Sequence, residues 1–276
     1  MDLISKDAEI GKRVELGHNV IIEDGVVIGN NVEIGHNTII RKNVHLGSNS
    51  YVGANVILGE YIGTYFINGE DETKFGYYKN SKTYKNPILK IGEKAKIRAN
   101  TLIYADCEIG NRLETGSWTV IRNGCKIGNN NYLGNHCEFW GPLKTGDHNR
   151  FIACAHIGDT SVIGNCCWFL PYATLATDLH PPCGKCLQGP VIEDYAIIGS
   201  FSLILPRIKV GKNAIVGACS LVTQDVPPET IVVGNPAQII KNVKDITCPL
   251  GILDKGPYPW YENMPKNRRK RYGYPD

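Results

Sequence analysis

The stretch IGKRVELGHNVIIEDGVVIGNNVEIGHNTII, residues 10–40, repeats itself every six residues. Its apolar marks are Ile10, Leu16, Ile22, Ile28, Ile34 and Ile40, each followed by glycine or a charged residue. The series begins at Ile4 and continues through Leu46 and Val52 to Leu58. Four positions after each mark stands a small or β-branched residue, as at Val14, Val20, Val26, Val32, Thr38 and Val44. An amphipathic helix repeats at about 3.6 residues and a half-buried strand at about 2, so neither produces a strict six. One short strand plus one turn does. Three such units per coil stack the marked side chains inside a triangular prism.

Working outward, the marks resume at Ile91 and run through Ile97, Ile103 and Ile109 to Leu175, broken only at Thr115 and Thr145. A third block holds from Ile192 to Val222. Chance spacing of ordinary strands would not keep phase across three blocks. The expectation is an all-β, parallel β-helix of about ten coils. Four of the ten cysteines, Cys107, Cys125, Cys137 and Cys167, fall on the small inward position, where a thiol behaves as a small apolar side chain.

Two stretches interrupt the repeat. GTYFINGEDETKFGYYKNSKTYKNP, residues 63–87, is polar and aromatic and contains the turn signal Asn68-Gly69, which reads as an extruded loop or hairpin arm. ATDLHPPCGKCLQGP, residues 176–190, is a polar loop between two regular blocks. Pro227-Pro228 ends the ladder, and Ala237 to Ile246 is expected as a short capping helix before an extended tail with the basic run Lys266 to Arg271. The chain thus divides into coils 1–62, an arm 63–87, the main helix 88–236 carrying the loop, and a C-terminal segment 237–276. A formal charge of +3 gives no argument for nucleic acid, no apolar stretch is long enough to span a bilayer, and Leu3-Ile4 meets charge at once instead of opening a signal peptide. A cytoplasmic protein is expected.

The hexads from Ile4 to Lys241 resemble those of the left-handed β-helix acyltransferases, the bacterial transferase hexapeptide family. The resemblance implies a left-handed wind, homotrimers and active sites between neighbours. The run IIGSFSLILPRIKVGKNAIVGACSLVTQDVPPETIVVGNPAQIIK is similar to the terminal coils of coenzyme A-dependent sugar acetyltransferases. That likeness implies acetyl-CoA or another acyl-CoA as co-substrate. Ser200 and Ala218, one coil apart, and Thr223 then match cofactor contacts, and Lys212 or Lys241 would meet phosphate.

The loop pattern Asp178-Leu179-His180-Pro181 resembles two groups. His180-Pro181 matches the catalytic His of galactoside- and maltose-type O-acetyltransferases. The fuller pattern through Gly189-Pro190 is similar to enzymes that acylate amino groups of nucleotide-linked deoxysugars, of the dTDP-amino-sugar and anthrose-pathway kind. The fuller likeness implies an N-acyltransferase, a group in which the base is less uniform, so His180 is expected as base by its His-Pro match. Asp178 and His136 are expected substrate contacts, as is Glu114, which lies at a different corner and would be contributed across an interface. Spacing adds a rival base: Glu138 and His156 lie eighteen residues apart, at the same corner of consecutive coils by phase, where a carboxylate would orient an imidazole. A non-catalytic assembly module is the alternative of a different class. No metal is expected, because Cys183 and Cys186 lack a full ligand set and the histidines lack the spacing of a shared zinc site.

Overall fold

The computed structural model describes residues 3–62, 86–181, 184–253, 256–258, 260–272 and 274. The chain winds as a parallel β-solenoid with three faces of eleven, ten and twelve strands, here the first, second and third faces. Successive strands visit the three faces in turn, and each pairs with the strand one coil on, as Ile21–Ile22 does with Ile39–Ile40. The architecture matches the left-handed β-helix expected from the repeat. Among the described residues no helix is long and apolar enough to cross a membrane.

Most strands contain two residues because the turns take the rest of each hexad. The marked side chains point inward and are buried at every coil from Ile22 to Val222. Each such burial contributes on the order of 1.5–3 kcal/mol. Larger marks fill the middle of the prism, where Phe151 lies edge-on to Phe139 at 4.8 Å and stacks on Phe169 at 4.7 Å. Cys107, Cys125, Cys137 and Cys167 are buried in the same core. The two misfits are inward as well: Thr115 and Thr145 are buried, and their hydroxyls bond within the turn region, Thr115 Oγ1 accepting from the Arg98 amide at 2.9 Å.

Tight turns require left-handed backbone. Asn19, Asn37 and Asn55 supply it on the third-to-first edge at φ near 57°, and asparagine tolerates this region better than most residues. On the second-to-third edge, side-chain oxygens stitch coils together, with Asn111 accepting from the Glu93 amide and Asn129 from the Asn111 amide. The glycines after the marks answer a different need. A Cβ on Gly199 would lie 2.6 Å from the Ala218 amide nitrogen, so the turns approach too closely for a larger residue.

Both interruptions leave from the first-to-second edge. The chain departs after Ile57–Glu60 on the first face and returns at Leu89–Ile91 on the second. It departs again after Thr174–Leu175 and returns at Val191–Ile192. The expected arm falls almost wholly outside the described residues. Its base is anchored by buried Arg41, which bonds Glu23 at 2.8 Å, while the Tyr61 hydroxyl donates to the same carboxylate at 2.6 Å. Burial first, and then Glu23, pushes the Tyr61 phenol up.

The C-terminal segment corrects the expectation. Ala237–Asn242 is a strand, antiparallel to Thr230–Gly234, and only Val243–Asp245 is helical, as one 3-10 turn. The Gly234-Asn235-Pro236 turn folds the chain back on itself, so Gln238 to Lys241 finds hydrogen-bond partners in the preceding strand and needs no helix. The tail is not simply extended either. It contains α1 (Trp260–Asn263) and α2 (Lys266–Tyr272). Trp260 packs edge-on against Trp168 of the third face and Tyr261 against Tyr195.

Candidate active site

Glu138 and His156 are register partners on neighbouring strands of the first face, not turn residues as their phase suggested. The phase counts residues from the inward mark but does not say where a strand begins. Each residue immediately precedes an inward mark, Phe139 or Ile157, and therefore points outward. His156 Nδ1 lies 3.3 Å from Glu138 Oε2, with the two side chains 40% and 49% exposed. Trp140 reaches back from two residues on and donates its indole N–H to the same oxygen at 3.3 Å. Its ring lies 6.1 Å from the imidazole. One coil earlier, the Arg122 guanidinium sits between the rings of Trp140 at 4.6 Å and Tyr104 at 5.2 Å. Tyr104, Arg122 and Trp140 were not among the expected site residues. Their eighteen-residue spacing was the available signal.

The third-to-first edge beside this pair carries an aromatic ladder. Trp118, His136, Tyr172 and Phe201 all occupy the left-handed turn position that asparagine fills in earlier coils. Bulky side chains pay on the order of 1 kcal/mol for that backbone, so their presence points to a use for the side chains. Trp118 stacks on His136 at 6.3 Å and Tyr172 on Phe201 at 4.7 Å, and Trp118, Tyr172 and Phe201 are exposed. His136 is thus two residues from Glu138 on the same coil.

Ser200 and Ala218 lie on this same edge, joining third-face to first-face strands one coil apart. Cys219 donates its amide to the Ser200 carbonyl at 2.8 Å, and no described residue accepts the amide N–H of Ser200 or Ala218. Thr223 follows Leu221–Val222 at the far side of the first face and is exposed. These three expected cofactor residues therefore flank one face.

Other expected residues do not join them. Lys212 lies on the second-to-third edge, its amide bonded to Glu193 and its ammonium 6.0 Å from the Tyr195 ring. Lys241 pairs with Ile231 in the terminal hairpin of the third face. Glu114 is a third-face strand residue bonded to Arg98 at 3.1 Å. In the loop, Asp178 has an organising role: its two carboxylate oxygens accept the amides of His180 at 2.9 Å and Gly184 at 3.3 Å. His180 itself is exposed. Among the described residues no cluster of three or more His, Cys, Asp or Glu side chains is arranged to hold a metal.

Fold and repeat together define a hexapeptide-repeat solenoid. A family model described as bacterial transferase hexapeptide (six repeats) matches residues 3–36 and 189–224, and one described as hexapeptide repeat of succinyl-transferase matches residues 25–60. Among curated proteins, the acyl-[acyl-carrier-protein]–UDP-N-acetylglucosamine O-acyltransferase of Pseudomonas aeruginosa is 32% identical over 127 residues, 46% of this chain and 43% of its own length. The bifunctional protein GlmU of Thermotoga maritima is 28% identical over 172 residues, 55% of this chain and 36% of that one. The chain thus spans less than half the length of these relatives. Among solved structures, a soybean serine acetyltransferase complexed with serine is 41% identical over 31% of this chain and 34% of that one, with a TM-score of 0.29.

Proposed function

We propose that the chain is an acyl-CoA-dependent N-acyltransferase, working as a cytoplasmic homotrimer with sites between prisms, whose acceptor is the amino group of a nucleotide-linked deoxyamino sugar of the dTDP type. The observation that carries this reading is the Glu138–His156 pair at 3.3 Å on the face that Ser200 and Ala218 border. A carboxylate next to an imidazole fixes the ring's orientation and stabilises the imidazolium it becomes on accepting a proton.

In this reading the sugar amine attacks the thioester carbonyl. The C–N bond forms as the carbonyl oxygen takes up charge, and His156 takes the proton from nitrogen. Collapse breaks the C–S bond, and coenzyme A leaves as its thiol after receiving that proton. The amide N–H groups of Ser200 and Ala218 are suited to hold an acyl-pantetheine chain along the edge, as backbone donors in tight turns. Loop residues His180 and Asp178 wall the far end of the face, and His136 with its aromatic neighbours walls the near edge. His156 is preferred to His180 as base because it has a carboxylate partner, whereas Asp178 is engaged with the loop backbone.

The match to an O-acyltransferase that uses an acyl carrier protein makes a hydroxyl acceptor and an acyl-protein donor the second reading. Release of free thiol from acetyl-CoA on addition of dTDP-amino sugars tests the first. Turnover only with sugar hydroxyls, or only with acyl-carrier protein, would replace it by the second; no coenzyme A binding at all would sink both donor assignments to this edge.

A further inference from the structure

The acyl-transfer chemistry proposed for the first face leaves the basic tail without a task. α2 lies against the third face, and Lys270 helps line a cleft of about 770 Å³ there. Lys94, Lys96, Arg112 and Arg150 line the same cleft, where the one carboxylate among the described lining residues is Glu114. That carboxylate is engaged by Arg98 at 3.1 Å, so it offsets little of the positive charge. Lys94 and Arg112 occupy the same left-handed turn position on consecutive coils, both at φ 59°, which places their backbones about 4.8 Å apart. Arg150 is buried, with its guanidinium tied to the carbonyls of Asn130 and Asn149 at the cleft floor. A chain that stacks like charges in a recess, with only one carboxylate facing them, has built a place for an anion.

The order of groups along the prism is informative. In register, one coil per step, the outward row of the third face reads Lys96, Glu114, Tyr132, Arg150, Trp168. Cations crowd the Lys94–Lys96–Arg112 end, the half-buried Tyr132 ring follows about 10 Å further along, and Trp168, packed edge-on against Trp260, closes the row at about 19 Å. Phosphates at one end and a flat π-system at the other is how a nucleotide presents itself to a protein, and aromatic stacking is tolerant of which base it meets. We infer that this cleft binds a phosphoanion of the nucleoside diphosphate class, with Lys270 closing over it from the tail. The site is on a different face from Glu138 and His156 and does not depend on the acyl-transfer reading. Sugar nucleotides and coenzyme A both carry the required pyrophosphate, and the titrations below separate the two sources.

The full-length protein is titrated separately with inorganic pyrophosphate, dTDP and coenzyme A, following tryptophan fluorescence and heat, at low and high salt. Saturable, salt-sensitive binding is expected, tighter for a nucleotide than for pyrophosphate, and the tighter nucleotide identifies the source. Lys94→Gln with Arg112→Gln is expected to weaken binding by about tenfold or more, and Lys270→Gln by about threefold. The second variant sits on the tail and leaves the solenoid untouched. Equal affinity in wild type and both variants overturns the inference, as does absence of binding at millimolar ligand. Pyrophosphate binding as tight as nucleotide binding overturns the nucleotide class. Loss of binding in Glu138→Gln with retention in the Lys94/Arg112 variant would place the nucleotide on the first face instead. Failure of thiol release would leave all of these binding outcomes unaffected.

Discussion

In the proposed reaction, replacing Glu138 with Gln separates a positioning carboxylate from a proton acceptor. Gln keeps the shape and an oxygen that accepts the Trp140 indole N–H, but removes the charge 3.3 Å from His156. At that distance the attraction between a carboxylate and an imidazolium is about 1 kcal/mol at water's dielectric and about 5 kcal/mol at an effective value near 20. Both side chains are more than a third exposed, so the lower figure applies, and about 1 kcal/mol corresponds to about a fivefold loss in kcat. His156→Ala removes the acceptor itself and should cost on the order of 10²–10⁴. Because Glu138 acts through His156, the double variant should be no worse than His156→Ala alone. Thiol release from acetyl-CoA, measured over a range of dTDP-amino sugar concentrations, separates kcat from KM. A His156→Ala enzyme within twofold of wild type would refute the reasoning, and so would a double variant far below His156→Ala.

Phe151→Ala empties the centre of the Phe139–Phe151–Phe169 stack and should cost about 3–5 kcal/mol, read as a lower denaturant midpoint with an unchanged slope. Unchanged stability would mean the prism collapses around the gap. Burial pushes the His148 imidazole down, more than Asp147 raises it, with Arg150 adding to the depression. The folded state therefore favours the neutral ring: its contribution is present above the ordinary histidine value near about 6.5 and lost as pH falls below it through the lower folded value. His148 packs on Tyr274 at 6.0 Å, so acid should loosen the tail, seen as a change in Trp260 fluorescence that His148→Gln flattens. Burial raises the Cys137 thiol to about 12 and the Cys166 thiol to about 11, whereas backbone amides around Leu253 lower that of Cys248. Thiol reagents followed by mass spectrometry should therefore mark Cys248 and exposed Cys219 and Cys186 well before Cys137 and Cys166, and the reverse order would contradict the inward place of Cys137 and the burial of the turn residue Cys166.

The solenoid was legible because each hexad carries its own instruction: an inward mark, a tight turn and a small inward partner, repeated where the next coil needs it. Thr115 and Thr145 looked like faults only because hydropathy ignores a hydroxyl that can bond a turn; both are inward. Where the repeat stopped, local cues misled. Ala237 to Ile246 has no proline or glycine to forbid a helix, yet the turn before it offers a ready strand partner. The Glu138–His156 pairing followed from spacing, but its place on a strand did not, since a period gives phase without strand limits. Arg122 and Trp140 went unseen because outward residues of a solenoid obey no hydrophobic rule, and only contact across coils gives them meaning. The side of the prism on which Lys212 lies was recoverable by counting faces, which motif matching did not do.

The loop at residues 176–190 has a consequence for how such a protein can change. Asp147 donates its amide to Asn165 across 18 residues at 2.8 Å, and Asn165 donates to Asp194 across 29 residues at 2.7 Å. The spine repeats the same stitch as if the excursion were not there. The stitch runs along the second-to-third edge, so a cassette spliced into the first-to-second edge leaves it unbroken, with its ends tied to the preceding coil by Thr177 donating to Asp159 and by the Gly189 amide donating to Thr160, both at 2.6 Å. Doubling the cassette's length adds only about 0.6 kcal/mol of closure entropy. Cassettes can therefore be exchanged on an unchanged spine, and a grafted loop that keeps the Thr177 and Gly189 ties at its two ends should fold in place.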